Sequence, residues 1–186
     1  LFPTPETATP RPKSAYGTSK LCAEHYLGWF SRAHGIPWAA MRFANVYGPR
    51  QNPHGEVGVI AMFAARLKRG EPCIIFGDGT NRRDYVYVTD VVDAFSKAAS
   101  HREAVGPFNI GTSTETDVTA LYAALAKIAG TTAEAQRAPA RAGESIRSML
   151  ANHHAREVFG WAPKVSLQEG LARVWGNEPN EALPQR

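Results

Sequence analysis

The chain has 186 residues, of which 44% are hydrophobic, 20% charged and 10% aromatic, a composition that excludes intrinsic disorder, collagen and coiled coil. No apolar run approaches the roughly 20 residues of a membrane span, and the length fits one large domain or two small ones. Lysine and arginine total 21 against 17 acidic residues, a net charge of +4 spread without a basic block, so nothing points to nucleic acid.

The sequence opens at Leu1 with neither a methionine nor the basic region and cleavage site of a signal peptide, and is expected to start inside a longer chain. Residues 1–13 contain Pro3, Pro5, Pro10 and Pro12 and predict an extended loop. From Ser14, a plausible cap, to His34, the spacing predicts a helix ending at Gly35, with Ala23, Tyr26, Leu27 and Phe30 as the apolar stripe that packs on the core. After Pro37, WAAMRFANVYG predicts one buried strand covered on both faces, with Asn45 at its carboxyl end, where ligands gather in α/β folds. The loop GPRQNPHGEVG is long for a mere turn and either lines a site or is a surface excursion.

A helix is predicted over 59–69, with Ile60, Phe63, Ala64 and Leu67 on one face and a basic last turn of Arg66, Lys68 and Arg69 before Gly70. CIIF reads as a short strand ended by the turn GDGTN, and RRDYVYV as an alternating strand leading into a helix over 89–100 capped by Thr89. PFNIG, at 107–111, predicts another strand. A helix over 116–128 follows, capped around Thr114 or Thr116 and carrying Val118, Leu121, Leu125 and Ile128. Residues 131–145 lack periodicity, and short helices over 152–159 and 167–174 flank Trp161 and Pro163.

This alternation predicts an α/β fold, in which at most two or three strands share one parallel sheet. No GxGxxG, GxxGxxG or Walker sequence is present, and no internal repeat. Cys22 and Cys73 could form at most one bridge and have no metal-ligand spacing, so a reducing cytoplasm is expected. The adjacent His153 and His154 would point about 100° apart on a helix, and no metal site is expected.

Tyr16 and Lys20 lie four positions apart and share one helix face. An ammonium beside a phenol favours the phenolate, which makes the oxygen a proton acceptor. The same spacing also fits a half-buried aromatic next to a solvated lysine, and the two residues alone leave both readings open.

The run SAYGTSKLCAEHY resembles the catalytic helix of the extended short-chain dehydrogenase/reductase family, in its NAD-dependent nucleotide-sugar epimerase and dehydratase branch. MRFANVYGPRQNPHGEVGVI, GDGTNRRDYVYVTDVVDA, FNIGTST, and RAGE followed by REVFGWAPKVSLQEGL resemble the same branch in the same order, over nearly the whole chain. GPRQNPHGEVGVI with RRDYVYV is more similar to the UDP-glucose 4-epimerase group than to the dehydratases or decarboxylases. The resemblance implies the C-terminal part of a Rossmann-type α/β fold with a small mixed substrate-binding subdomain. Residues 1–56 would complete the Rossmann domain and 57–186 would bind nucleotide-sugar, with 83–111 partly returning to the Rossmann sheet.

For the site, the resemblance implies that Tyr16 exchanges a proton with the sugar 4-hydroxyl while NAD takes the hydride, and that Lys20 holds the nicotinamide ribose and lowers the Tyr16 pKa. It places Phe43 and Ala44 beside the nicotinamide, Asn45 on the nucleotide-sugar phosphates, and Gly58, Val59 and Ile60 around the base. Arg83 would pair with the diphosphate with Tyr85 beside the nucleoside, Arg141 would be a second diphosphate arginine, and Glu144 would lie near the uridine ribose. The alternative readings from residue type are routine burial beside a turn for Asn45, local salt bridging or packing for Arg83 and Tyr85, and an exposed loop for Arg141 and Glu144. The implied partners are a UDP-hexose and, in the full-length enzyme, a second copy of the chain. The family's glycine-rich cradle, acidic ribose residue and helper Ser or Thr have no counterpart here. A dehydratase or decarboxylase, or a non-catalytic nucleotide-sugar-binding remnant, are the rival readings.

Overall fold

Ser14 starts the first helix, α1 (Ala15–His34), by accepting a hydrogen bond from the Gly17 amide at 3.0 Å, and Gly35 ends it in the left-handed conformation at φ 66°. The computed structural model describes residues 1–53, 58–140 and 146–176. After α1 come β1 (Ala39–Phe43), β2 (Asn45–Tyr47), α2 (Val59–Lys68), β3 (Ile74–Phe76), β4 (Arg82–Tyr87) and α3 (Val88–Ser100). These are followed by β5 (Gly106–Ile110), β6 (Glu115–Asp117), α4 (Val118–Ala129), β7 (Gln136–Ala138), β8 (Arg147–Ser148), α5 (His153–Phe159) and α6 (Leu167–Gly176).

The stretch expected to form one buried strand is two. Ala44 breaks it, so that β1 pairs in parallel with β5 while β2 pairs in parallel with β4. β2 is covered on both faces, with Tyr47 in one apolar cluster and Val46 against the other, whereas β1 ends in Phe43, which is 44% exposed. β6 runs antiparallel to β4, β8 runs parallel to it, and β3 pairs in parallel with β7. The mixed β4 neighbourhood explains two shifted caps. Residues expected to open the fourth helix are drawn into β6, so Asp117 caps α4 by accepting from the Ala120 amide at 2.7 Å. β4 runs directly into α3, and Tyr87 stands at its N-cap position in place of Thr89.

Two apolar clusters meet across β4. Tyr85 and Tyr87 belong to one, with Ile60, Phe63, Leu121, Leu125 and Leu171. Val86, on the opposite face, belongs to the other, with Phe108, Ile110, Phe159 and Trp161. The period-2 alternation of RRDYVYV thus serves a strand covered on both sides.

Nothing in this chain's described residues covers the apolar stripe of α1. None of its residues is buried, and Tyr26, Leu27 and Phe30 are exposed. Its partly buried residues are Gly17, Leu21, Glu24, Gly28 and Ser31, a row of mostly small or polar side chains along one face. On this face Trp38 lies in ordinary contact distance of Gly28, and Glu24 pairs with Arg42.

Asp84, only 1% exposed, ties β4 to two distant segments. Its Oδ1 accepts from the Thr112 amide at 2.8 Å and hydroxyl at 2.6 Å, and its Oδ2 from the Ser113 and Leu150 amides at 3.2 and 3.4 Å. Asp84→Asn replaces one acceptor by a donor among these amides. It is expected to lower unfolding free energy by about 3 kcal/mol, measured as a shift of the urea midpoint at unchanged slope.

Candidate functional site

A cleft of about 190 Å³ opens where β2, α2, β3, β4 and α4 converge. Asn45 enters from the first position of β2, Gly58 and Val59 from the start of α2, and Arg83 and Tyr85 from one face of β4. Met62, Ile74, Phe76 and Val118 supply an apolar wall, and Asn81 adds a polar group beside Arg83. The cleft therefore brings together five residues singled out in the sequence: Asn45, Gly58, Val59, Arg83 and Tyr85.

Tyr85 is 6% exposed, and its buried hydroxyl has no hydrogen-bond partner among the described residues. Burial pushes its pKa up to about 12, so the phenol stays protonated at neutral pH. A buried donor that no described residue satisfies, in the wall of a cleft, suits a ligand that brings an acceptor. Behind it, Tyr47 packs edge to face on Tyr85 and Tyr87 at centroid distances of 6.4 and 5.4 Å, and burial raises its pKa as well. Arg83 donates from Nη1 to the Arg82 carbonyl at 2.9 Å, and among the described residues the rest of its fork remains for an anion.

Tyr16 and Lys20 are brought together but lie outside the residues that line this cleft. The Lys20 ammonium lies 5.2 Å from the Tyr16 ring centroid, and Tyr16 is 72% exposed. Phe43 stands at the end of β1 with its ring 5.8 Å from that of Phe95. Ala44, at the break between β1 and β2, donates its amide to the Ile110 carbonyl at 2.9 Å. Ile60, expected around a base, is 2% exposed and its side chain sits in the core, one helix position beyond the cleft-lining Val59. Arg141 and Glu144 lie outside the described residues.

Sequence reasoning passed over Asn81, Met62, Ile74, Phe76 and Val118. The signal for Ile74 and Phe76 was present, since alternate positions of a short strand face one side. Asn81 adjoins the RRDY run and was read only as the end of a turn.

Residues 2–111 match the NAD dependent epimerase/dehydratase family. The UDP-glucose 4-epimerase of Mycolicibacterium smegmatis is 44% identical over 173 residues, which are 93% of this chain and 55% of that protein. UDP-glucuronic acid decarboxylase 1 of Arabidopsis thaliana is 30% identical over 171 residues, 92% of this chain and 39% of that protein. Among solved structures, the Thermotoga maritima UDP-glucose 4-epimerase with UDP-glucose superimposes at a TM-score of 0.90 with 47% identity, covering 94% of this chain and 56% of that one. The Thermus thermophilus UDP-glucose 4-epimerase complex with NAD gives 0.84 with 42% identity, covering 91% and 55%. The chain spans about half the length of the curated relatives it matches.

Removing the unpartnered hydroxyl by Tyr85→Phe is expected to leave stability unchanged or raise it by about 1 kcal/mol, because no protein hydrogen bond is lost. Thermal or urea unfolding of the two proteins without ligand checks this.

Proposed function

The chain belongs to the NAD dependent epimerase/dehydratase family, and on that premise we propose that it carries the catalytic helix and nucleotide-sugar side of an NAD-dependent 4-epimerase that interconverts UDP-glucose and UDP-galactose. The observation that supports this reading most directly is the cleft itself, where Asn45, Gly58, Val59, Arg83 and Tyr85 converge from segments far apart in sequence.

In this reading the apolar wall of Val59, Met62 and Phe76 receives the uracil ring, with backbone groups of Gly58 and Val59 at its edge. The Arg83 guanidinium pairs with the diphosphate, Asn45 donates to a phosphate oxygen, and the Tyr85 hydroxyl gains the acceptor that it lacks within the protein. Arg141 is assigned to the diphosphate and Glu144 to the uridine ribose, where a carboxylate accepts from hydroxyls.

The open Tyr16–Lys20 face and the exposed Phe43 ring fit the nicotinamide-ribose end of NAD, because a phenol, an ammonium and a ring face are all accessible there. The sequence offers no glycine-rich loop for the pyrophosphate. NAD, when bound, supplies the acceptor for the C4 hydride and its later return. Tyr16 takes the 4-hydroxyl proton as that carbon is oxidised, and Lys20 holds the phenolate by its charge. The 4-keto sugar turns over while the diphosphate stays on Arg83, and Tyr16 gives its proton back when the opposite face is reduced. Residues 1–56 are assigned to the Rossmann part and 57–186 mainly to nucleotide-sugar binding. The complete gene product is assigned as a cytoplasmic homodimer.

A decarboxylase is the second reading, favoured by the 30% identity to the Arabidopsis enzyme. Conversion of UDP-galactose to UDP-glucose with added NAD, measured in the complete gene product, decides between them: carbon dioxide release from UDP-glucuronate without 4-epimerisation would select the second. Tyr16→Phe is expected to lower kcat by about 10²- to 10³-fold with KM little changed. Arg83→Ala is expected to weaken UDP-glucose binding by about tenfold or more in isothermal titration, with an unaltered unfolding midpoint.

A further inference from the structure

The helix that carries Tyr16 and Lys20 has no buried residue, yet its orientation must be fixed if those side chains are to meet a substrate held elsewhere. One set of its attachments converges on Arg42. That guanidinium makes a two-pronged pair with Glu24 of α1, Nε to Oε1 at 2.8 Å and Nη2 to Oε2 at 2.6 Å. Both side chains are about four-fifths shielded, at 24% and 19% exposure. The remaining nitrogen, Nη1, donates to the Glu6 carbonyl at 3.2 Å.

Glu6 in turn is anchored to the body. Its Oε1 accepts from the Asn109 amide of β5 at 2.8 Å, and Asn109 Nδ2 donates to the Thr4 carbonyl at 2.9 Å. Thr4 is paired with the strand-like segment after β8, through its amide to the Met149 carbonyl and its carbonyl to the Ala151 amide, both at 2.9 Å. Arg42 therefore joins α1, β1 and the segment before α1, and that segment reaches the chain that also donates the Leu150 amide to Asp84.

We propose that Glu24 and Arg42 are positioning residues for the proton-transfer pair: their forked ion pair sets the rotation of α1 and so the place of Tyr16 and Lys20 relative to the nucleotide-sugar cleft. Glu24 lies one turn beyond Lys20, so one helical register fixes both the docked face and the reactive face. A forked pair constrains direction as well as distance, which a single apolar contact would not. Arg42→Lys keeps the charge and loses the fork, and Glu24→Gln keeps the shape and loses the charge.

The kinetic part of this inference rests on the epimerase reading, and the structural part does not. In the chain itself, hydrogen exchange of the α1 amides beyond the first turn is expected to quicken by about tenfold or more in Glu24→Gln and Arg42→Lys, while β4 amides exchange as in the parent protein. In the complete gene product, both variants are expected to lower kcat for UDP-galactose by about tenfold, with KM within about twofold, because the cleft does not include α1. Glu24→Asp, which retains a carboxylate, should recover part of the lost kcat. Unchanged α1 exchange, equal quickening throughout the protein, or a loss confined to KM would each overturn the proposal. If Tyr16→Phe retains full turnover, the epimerase reading fails, and α1 exchange alone then decides whether Glu24 and Arg42 orient the helix.

Discussion

The carboxylate of Asp84, buried in the middle of β4, holds the turn after β5 and the segment around Leu150 against that strand through four hydrogen bonds. Gly111 is part of the same arrangement, because a Cβ at that position would overlap Asp84 Oδ2. Strand alternation then sets the rest. With Asp84 and Val86 on one face, Arg83, Tyr85 and Tyr87 are turned to the other, and Arg83 and Tyr85 reach the cleft. Anchor and binding wall are consecutive residues of one strand, so their relative placement needs no further support. Asp90 does similar work at the start of α3, where its Oδ2 accepts from the Lys164 and Val165 amides and its carbonyl accepts from Trp161 Nε1.

That rigidity makes the hydroxyl of Tyr85 informative. A buried phenol with no acceptor destabilises the protein by about 1–3 kcal/mol relative to a satisfied one. Phenylalanine would fill the same space beside Tyr47 without that penalty. Tyr47 offers a contrast, since its hydroxyl is also unpartnered but presses against Gly170, where a Cβ would overlap it. The Tyr47 hydroxyl fills space between elements, whereas Tyr85 faces a cleft that also carries a guanidinium and two carboxamides. A buried hydroxyl with no acceptor among the described residues, in the wall of such a cleft, suits a ligand that brings one, and the same Tyr85 ring packs in the core beside Tyr47 and Tyr87.

What could be read from the sequence follows the range of the interactions involved. The ends of α1 were legible because Ser14 and Gly35 act within one turn of themselves. The split of WAAMRFANVYG at Ala44 was not, because an apolar run looks the same whether it pairs with one neighbour or changes neighbour midway. Arg83 and Tyr85 could be chosen from the RRDY run and the family it resembles. Asn81, Ile74 and Phe76 join them only because β3, from a separate two-stranded sheet, and the start of β4 both line the cleft, which no local pattern states. Asp84 was invisible for a related reason: its partners are 28 to 66 positions away. On α1 the apolar stripe is uncovered within this chain, and the contact that the sequence did not state is the Glu24–Arg42 pair, whose partners are 18 positions apart.

The two halves of the proposed chemistry are therefore joined to the protein by interactions of different strength. The cleft is built from strands and helices with fully buried side chains on both sides, and opening it exposes two cores. α1 is attached by the Glu24–Arg42 pair, by contact of Gly28 with Trp38, and by a preceding segment that reaches Arg42 through the Glu6 carbonyl. Local opening free energies follow the apolar contacts broken, so within this chain α1 separates from the body at lower cost than the cleft-lining elements. In the proposed chemistry, binding of a nucleotide-sugar rests on the packed cleft, and delivery of the phenol to it rests in part on the Glu24–Arg42 pair.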